Sequence, residues 1–239
     1  MSKETDVSTE HPGMGAVPGA KGVTFRVWAP HAEKVYVTGT FNDWNKTSTP
    51  MVSEKDGYWF AEAAEAKAGD EYRYLIHTPA DWKLPPLSRI DPYAKKVTNS
   101  TGNGVIYDPA AFDWGDDDFH MATGNELVIY EMHIGTFNVQ EKGKPGTFDS
   151  AAEKLPYLKD LGINAVEVMP IMEFSGDFSW GYNPAHPFAV ESIYGGPDAF
   201  KRFVKAAHGQ GIAVLVDVVY NHFGPSDLDL WQFDGWSEN

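Results

Sequence analysis

The residues able to do chemistry in this chain gather where its apolar runs stop. Ile212–Val219 is almost continuously apolar and β-branched, interrupted by Asp217 and followed by Tyr220, Asn221 and His222 before Gly224-Pro225 breaks the pattern. A run this short reads as a strand buried on both faces, as in a parallel sheet. A carboxylate, an amide and an imidazole around such a strand's C-terminal end stand where α/β sheets meet their ligands. Two more carboxylates, Glu131 and Glu167, also fall inside predicted strands. With Asp217 they read as polar groups of the sheet interior, hydrogen-bonded to each other or to backbone, because charges are rarely buried unpaired. Trp180 and Tyr182 sit in a long loop, Ser179–Pro184, where an aromatic either packs the loop or offers a flat face to a ligand. Trp44 and Trp82 occupy polar turn stretches where strand packing needs no large aromatic. Asp227, Asp229 and Asp234 lack the Gly and terminal Glu of a calcium loop and read as a solvated acidic loop.

Two kinds of texture must position these groups. Residues 1–20 mix Ser, Thr, Pro, Gly and charge without periodicity and read as a flexible tail. From 21 to 118, short alternating strands (Val23–Trp28, Val35–Thr38, Tyr58–Phe60, Tyr72–Ile76) are separated by turn residues, the pattern of a small antiparallel β-sandwich. A different regime spans 126–239. Leu127–Tyr130 predicts a strand, and Asp149-Ser150 a cap for a helix that Pro156 divides. Ala165–Pro170 predicts a second strand, Pro197 the first turn of a second helix, and Ile212–Val219 a third strand. Strand, helix, strand, helix, strand is a parallel α/β unit.

Composition narrows the partners. A formal charge of −15 excludes nucleic acid and anionic membrane surfaces, which need a positive face. The absence of cysteine excludes disulfide and thiolate chemistry and favours the cytoplasm. The first twenty residues have no apolar core of a signal peptide, and no run approaches the ~18 apolar residues of a membrane span, so a soluble chain is expected.

Asp217-Val218-Val219-Tyr220-Asn221-His222 resembles the DVVxNH motif of the α-amylase superfamily. Tyr130–Phe137 resembles that family's first barrel strand, Gly162–Pro170 its second, and Ser179–Pro184 with Tyr194–Pro197 its loop and third-helix entry. Gly39–Asn45 resembles the signature of the N-terminal module of its branching, debranching and trehalose-releasing members. The resemblance implies an immunoglobulin-like β-sandwich followed by the first three β/α units of an incomplete TIM (β/α)8 barrel, as in an N-terminal fragment. A closed barrel needs eight strands and about 250 residues. The family's nucleophile, acid/base and second aspartate belong to strands four, five and seven. No catalytic residue is therefore expected within the chain, and the nucleophile and acid/base are expected beyond Asn239.

By the same resemblance His222 hydrogen-bonds, and Tyr182 stacks under, the sugar beside the scissile bond, with Asn221 and Trp180 beside them. Asn221 also resembles a calcium ligand of many α-amylases, but members with this module often lack the ion, and no metal or other cofactor is expected. Trp44, Arg73 and Trp82 align with the glucan-binding residues of the module. The implied partner is an α-glucan or maltooligosaccharide, and the implied chemistry a retaining double displacement. A 1,4-α-glucan branching enzyme and a non-catalytic glucan-binding protein are the alternatives. The Tyr220-Asn221-His222 sequence leans toward trehalose-releasing or amylase-type hydrolases. Three strands would leave an open barrel edge, from which self-association is expected.

Overall fold

The computed structural model describes residues 13–224, 228 and 230–237. Eight strands build the N-terminal sandwich: β1 (Gly15–Gly19), β2 (Gly22–Trp28), β3 (Lys34–Gly39), β4 (Val52–Ser53), β5 (Tyr58–Ala63), β6 (Glu71–His77), β7 (Leu87–Arg89) and β8 (Gly104–Val105). They form two antiparallel sheets, β1-β2-β5-β4 and β3-β6-β7, with β8 paired to β6. Period-two alternation sets the register. On β2, Val23, Phe25 and Val27 are buried, and across the sandwich Tyr72, Tyr74 and Ile76 of β6 meet them. Phe25 packs edge-on against Tyr72 with ring centroids 5.2 Å apart.

Strand β1 corrects one expectation: Gly15–Gly19 pairs residue for residue with Arg26–Gly22, so the predicted tail contributes an edge strand. Its sequence, GAVPG, hides this because Gly and Pro are poor strand formers that an edge position tolerates.

The second unit is a parallel sheet in the order β13-β10-β9, from β9 (Ile129–Met132), β10 (Ala165–Val168) and β13 (Ala213–Val216). Between β9 and β10 lie α1 (Ile134–Phe137), α2 (Phe148–Ala152) and α3 (Leu155–Asp160); after β10 come β11 (Met172–Phe174), β12 (Pro184–Val190) and α4 (Gly196–Gly209). Pro156 separates α2 from α3 as expected, standing in the first turn of α3 where its missing N–H costs nothing. The cap of α2 is Thr147, whose side chain accepts from the Ser150 N–H, not the predicted Asp149-Ser150 pair. Helices cover one sheet face only. Met132, Val166, Val168 and Val214 join Phe148, Leu155, Leu158 and Phe203 in one core, and burying a side chain such as Phe148 contributes about 2–3 kcal/mol.

The other sheet face is open among the described residues. Ile129, on the same face of β9 as Glu131, is 47% exposed. Among the described residues no strand lies over this inner face.

The two units are fastened by several contacts. Residues 107–117 run along α4, where Tyr107 Oη donates to Asp198 (2.8 Å), Lys201 to the Pro109 carbonyl (2.7 Å) and His208 pairs with Asp117 (2.7 Å). On another side Ile90, Ala94, Val97 and Ala189 form a small shared core. Asp234 corrects the acidic-loop expectation. It is buried, and its Oδ2 accepts from both the backbone N–H and Nδ1 of His31, each at 2.9 Å. Asp227, Asp229 and Asn239 lie outside the described residues. No helix among the described residues is long and apolar enough to cross a membrane.

Candidate functional site

Parallel pairing brings Glu131 and Glu167 side by side in one row of the open sheet face, with Leu215 next to Glu167. Asp217 stands one residue past β13 on the same face; its N–H continues the ladder to the Val168 carbonyl (3.0 Å). These carboxylates share the sheet face that the helices leave uncovered. Asp217 takes a side-chain partner: Tyr182 Oη donates to its Oδ2 at 2.8 Å. That bond, with the negative charges of Asp217, Glu131 and Glu167, raises the Tyr182 phenol above its ordinary pKa.

Tyr182 reaches Asp217 because the loop after β10 is built to a fixed shape. Strands β11 and β12 make an antiparallel hairpin that sequence reading left as plain loop. Its base is tied by two buried carboxylates. Glu191 accepts from the Phe174 and Ile193 N–H groups (2.9 and 3.0 Å), and Glu173 from the Ser192 N–H and hydroxyl (2.7 and 3.0 Å). Burial pushes Glu173 up to about 8, helped by the charge of Glu191, and pushes Glu191 up to about 7.

The hairpin's tip carries Phe178, Trp180 and Tyr182. Gly181 sits between the last two at φ +89°, where a Cβ would overlap the carbonyl oxygen of Pro170. Ser179 locks the same turn, its hydroxyl accepting from the Gly181 N–H (3.0 Å) and donating to Asn183 (2.8 Å).

His133, just past β9, is the residue that sequence reasoning passed over. Its Nε2 lies 2.8 Å from the Ser179 carbonyl and its Nδ1 2.9 Å from the Thr136 hydroxyl. A carbonyl only accepts, so Nε2 carries the proton and Nδ1 accepts. Tyr194 Oη lies 3.1 Å from the same Nε2, and burial raises that phenol's pKa. His133 thus ties the end of the first barrel strand to the aromatic loop. The signal was its place after a strand, the same one that singled out His222.

The remaining candidates fall in two places. Trp180 (71% exposed) and Tyr182 (40%) belong to the rim, as do the exposed Asn221 and His222 after β13. Tyr220 and Phe223, also exposed, add to the aromatic surface there. Among the described residues no group of three or more His, Asp or Glu converges to hold a metal ion. In the sandwich, Trp44 adopts φ +56° with its N–H on the Gly39 carbonyl (2.8 Å) and stays partly exposed. Arg73 points its guanidinium at Ser88 and the Gly102 carbonyl. Trp82 packs with His31 and Trp236, ring centroids 6.2 and 5.6 Å away.

A β-sandwich joined to an α/β sheet whose polar strand ends meet an aromatic loop matches two family models in order. Carbohydrate-binding module 48 (isoamylase N-terminal domain) covers residues 13–94, and the alpha amylase catalytic domain residues 93–231. The chain belongs to the alpha-amylase family. Among curated relatives, malto-oligosyltrehalose trehalohydrolase from Saccharolobus solfataricus is 38% identical over 85% of this chain and 34% of its own length. A 1,4-alpha-glucan branching enzyme from Xanthomonas oryzae is 36% identical over 92% of this chain and 31% of its own. Among solved structures, an Anoxybacillus pullulanase complexed with maltotetraose aligns with TM-score 0.75 at 29% identity, over 89% of this chain and 36% of that one. The chain spans about a third of the length of the relatives it matches. The alpha-amylase family resemblance and the two-part architecture drawn from sequence are thereby established.

Proposed function

We propose that these residues form the glucan-gripping part of an α-glucan-active enzyme that works by retaining double displacement. The observation that carries this reading is the Tyr182–Asp217 hydrogen bond of 2.8 Å, which holds an aromatic ring beside the strand end bearing Asn221 and His222. An aromatic face suits the apolar C–H face of a sugar, and the flanking amide, imidazole and carboxylates suit its hydroxyls. Trp180, mostly exposed, extends the platform. Glu131 and Glu167 are not assigned as acid and nucleophile. In the family those groups belong to strands four, five and seven, which in this reading follow Asn239. The substrate is an α-glucan or maltooligosaccharide, and the reaction is hydrolysis. Transfer to a sugar hydroxyl shares the first displacement, and the 36% identity to a branching enzyme favours it as a second reading. The exposed inner sheet face, with Ile129 on it, supports self-association of the 239-residue chain.

Incubating the chain with maltoheptaose tests this. Saturation-transfer NMR should show binding that weakens in Tyr182→Phe and His222→Ala, while a reducing-end assay detects no new ends. New reducing ends would overturn the division of labour between strands. Binding indifferent to both substitutions would overturn the rim.

A further inference from the structure

The segment that returns from the barrel to the sandwich builds a groove that no rim residue shares. Asp234, held by His31, brings Phe233 and Trp236 against the sandwich, and Arg89 fixes the approach by donating to the Phe233 carbonyl (2.8 Å). The result is a cleft of about 520 Å³ whose walls include Trp28, Pro30, His31 and Tyr93 from one unit and Phe233 and Trp236 from the other. This volume lies within the range of about 300–1,000 Å³ common for small-molecule sites. From these features we infer that the groove is a second α-glucan docking site, separate from the rim and straddling the two units.

Four features point to a neutral sugar chain. First, the aromatic faces are braced as platforms. Trp28 is 53% exposed, with its indole N–H held by the Asp56 carbonyl (3.0 Å). Tyr93 stacks on Phe188 with centroids 5.1 Å apart at 14°, and Trp236 on His31 at 4.5 Å and 11°. Rings braced in this way lose little freedom when a pyranose lies on them. Second, the ionisable pair in the wall is internally matched, Asp234 against His31, so the cleft offers no lone charge that would select an ion. Third, because the carboxylate only accepts, His31 Nδ1 carries a proton in the bond to Asp234, and the opposite Nε2 edge of the ring is left to meet a sugar hydroxyl. Fourth, Trp82 lies beside the His31–Trp236 stack and prolongs the aromatic run. Trp82 thus adjoins the groove through His31 and Trp236 without lining it.

The inference rests on the α-glucan reading above, and the test separates the two. Maltoheptaose and cellohexaose are titrated into the 239-residue chain and into Trp28→Ala, Trp28→Phe and Trp180→Ala, with affinity read by calorimetry and contact by saturation-transfer NMR. Loss of one indole–sugar stack is worth about tenfold in affinity. The expected result is a maltoheptaose component weakened about tenfold in Trp28→Ala and less in Trp28→Phe, with the loss in Trp180→Ala confined to a second, rim-bound component and additive with that of Trp28→Ala. Trp28→Phe retains a ring and guards against the alanine variant failing to fold. Binding that follows Trp180 alone leaves the rim standing and overturns the groove. A Trp28-dependent response to cellohexaose with none to maltoheptaose, or no binding by the unsubstituted chain, also overturns it.

Discussion

Replacing Asp234 by alanine tests whether the return segment is a structural clamp. The carboxylate makes three bonds: Oδ2 to the His31 N–H and Nδ1, each 2.9 Å, and Oδ1 to the Trp236 N–H at 3.2 Å. Its side chain is 9% exposed, whereas the His31 ring is 37% exposed. The ring contact is therefore screened and worth at most about 1 kcal/mol. The backbone N–H of His31 is the costlier loss, because a buried donor left without a partner costs about 1–3 kcal/mol. Together with the longer Trp236 bond, Asp234→Ala should cost about 2–4 kcal/mol in urea unfolding followed by tryptophan fluorescence. His31→Ala keeps the backbone bond and should cost about 1 kcal/mol, mostly through the lost stack on Trp236. The double-mutant coupling should then stay below about 1 kcal/mol. A cost below about 0.5 kcal/mol for Asp234→Ala would show the segment to be loosely held. Coupling equal to the whole loss would show that the ring, not the backbone, carries it.

Two further outcomes follow from the same geometry. Gly181→Ala forces a Cβ onto the Pro170 carbonyl at φ +89°, and should cost about 1–3 kcal/mol while weakening maltoheptaose binding by re-aiming Trp180 and Tyr182; unchanged stability and binding would refute the fixed loop. Burial raises Glu173 to about 8, Glu191 to about 7 and Asp91 to about 6, so the folded chain holds protons that the unfolded chain releases near pH 4. Stability is thus greatest at the acid end of that window and falls as pH rises toward about 8. The melting temperature should drop between about pH 5 and 8.5, Glu173→Gln should flatten the upper part of the slope, and a rise over that range would contradict the assignment.

The sandwich strands were legible because alternation reports burial directly: Val23, Phe25 and Val27 face the core one residue apart from Thr24 and Arg26. The parallel order of the second unit followed from strand–helix alternation, and Pro156 marked the division between α2 and α3. Edge strand β1 escaped because GAVPG lacks the side chains that announce a strand; its pairing comes from the neighbour. Asp234 was misjudged for the reverse reason. Its acidic sequence context suggests solvent, while its burial depends on His31, 203 positions away in the chain. Likewise, Glu131 and Glu167 sit mid-strand as read, but whether a strand's second face is covered depends on what stacks against it, which local pattern does not encode.

The rim shows how far apart the legible and the illegible parts of one site can lie. Asn221 and His222 are placed by the strand that precedes them, so a motif at a strand end suffices to find them. Tyr182 has no such anchor. Its position depends on the β11–β12 hairpin, on Glu173 and Glu191 tying the base of that hairpin, and on His133 holding Ser179 from the neighbouring strand. Each of these residues looks ordinary in sequence, and none is expected to touch a sugar. The platform is thus a consequence of buried polar groups satisfied at a distance. A change of charge state at Glu173 should therefore reach the rim through the loop it fastens.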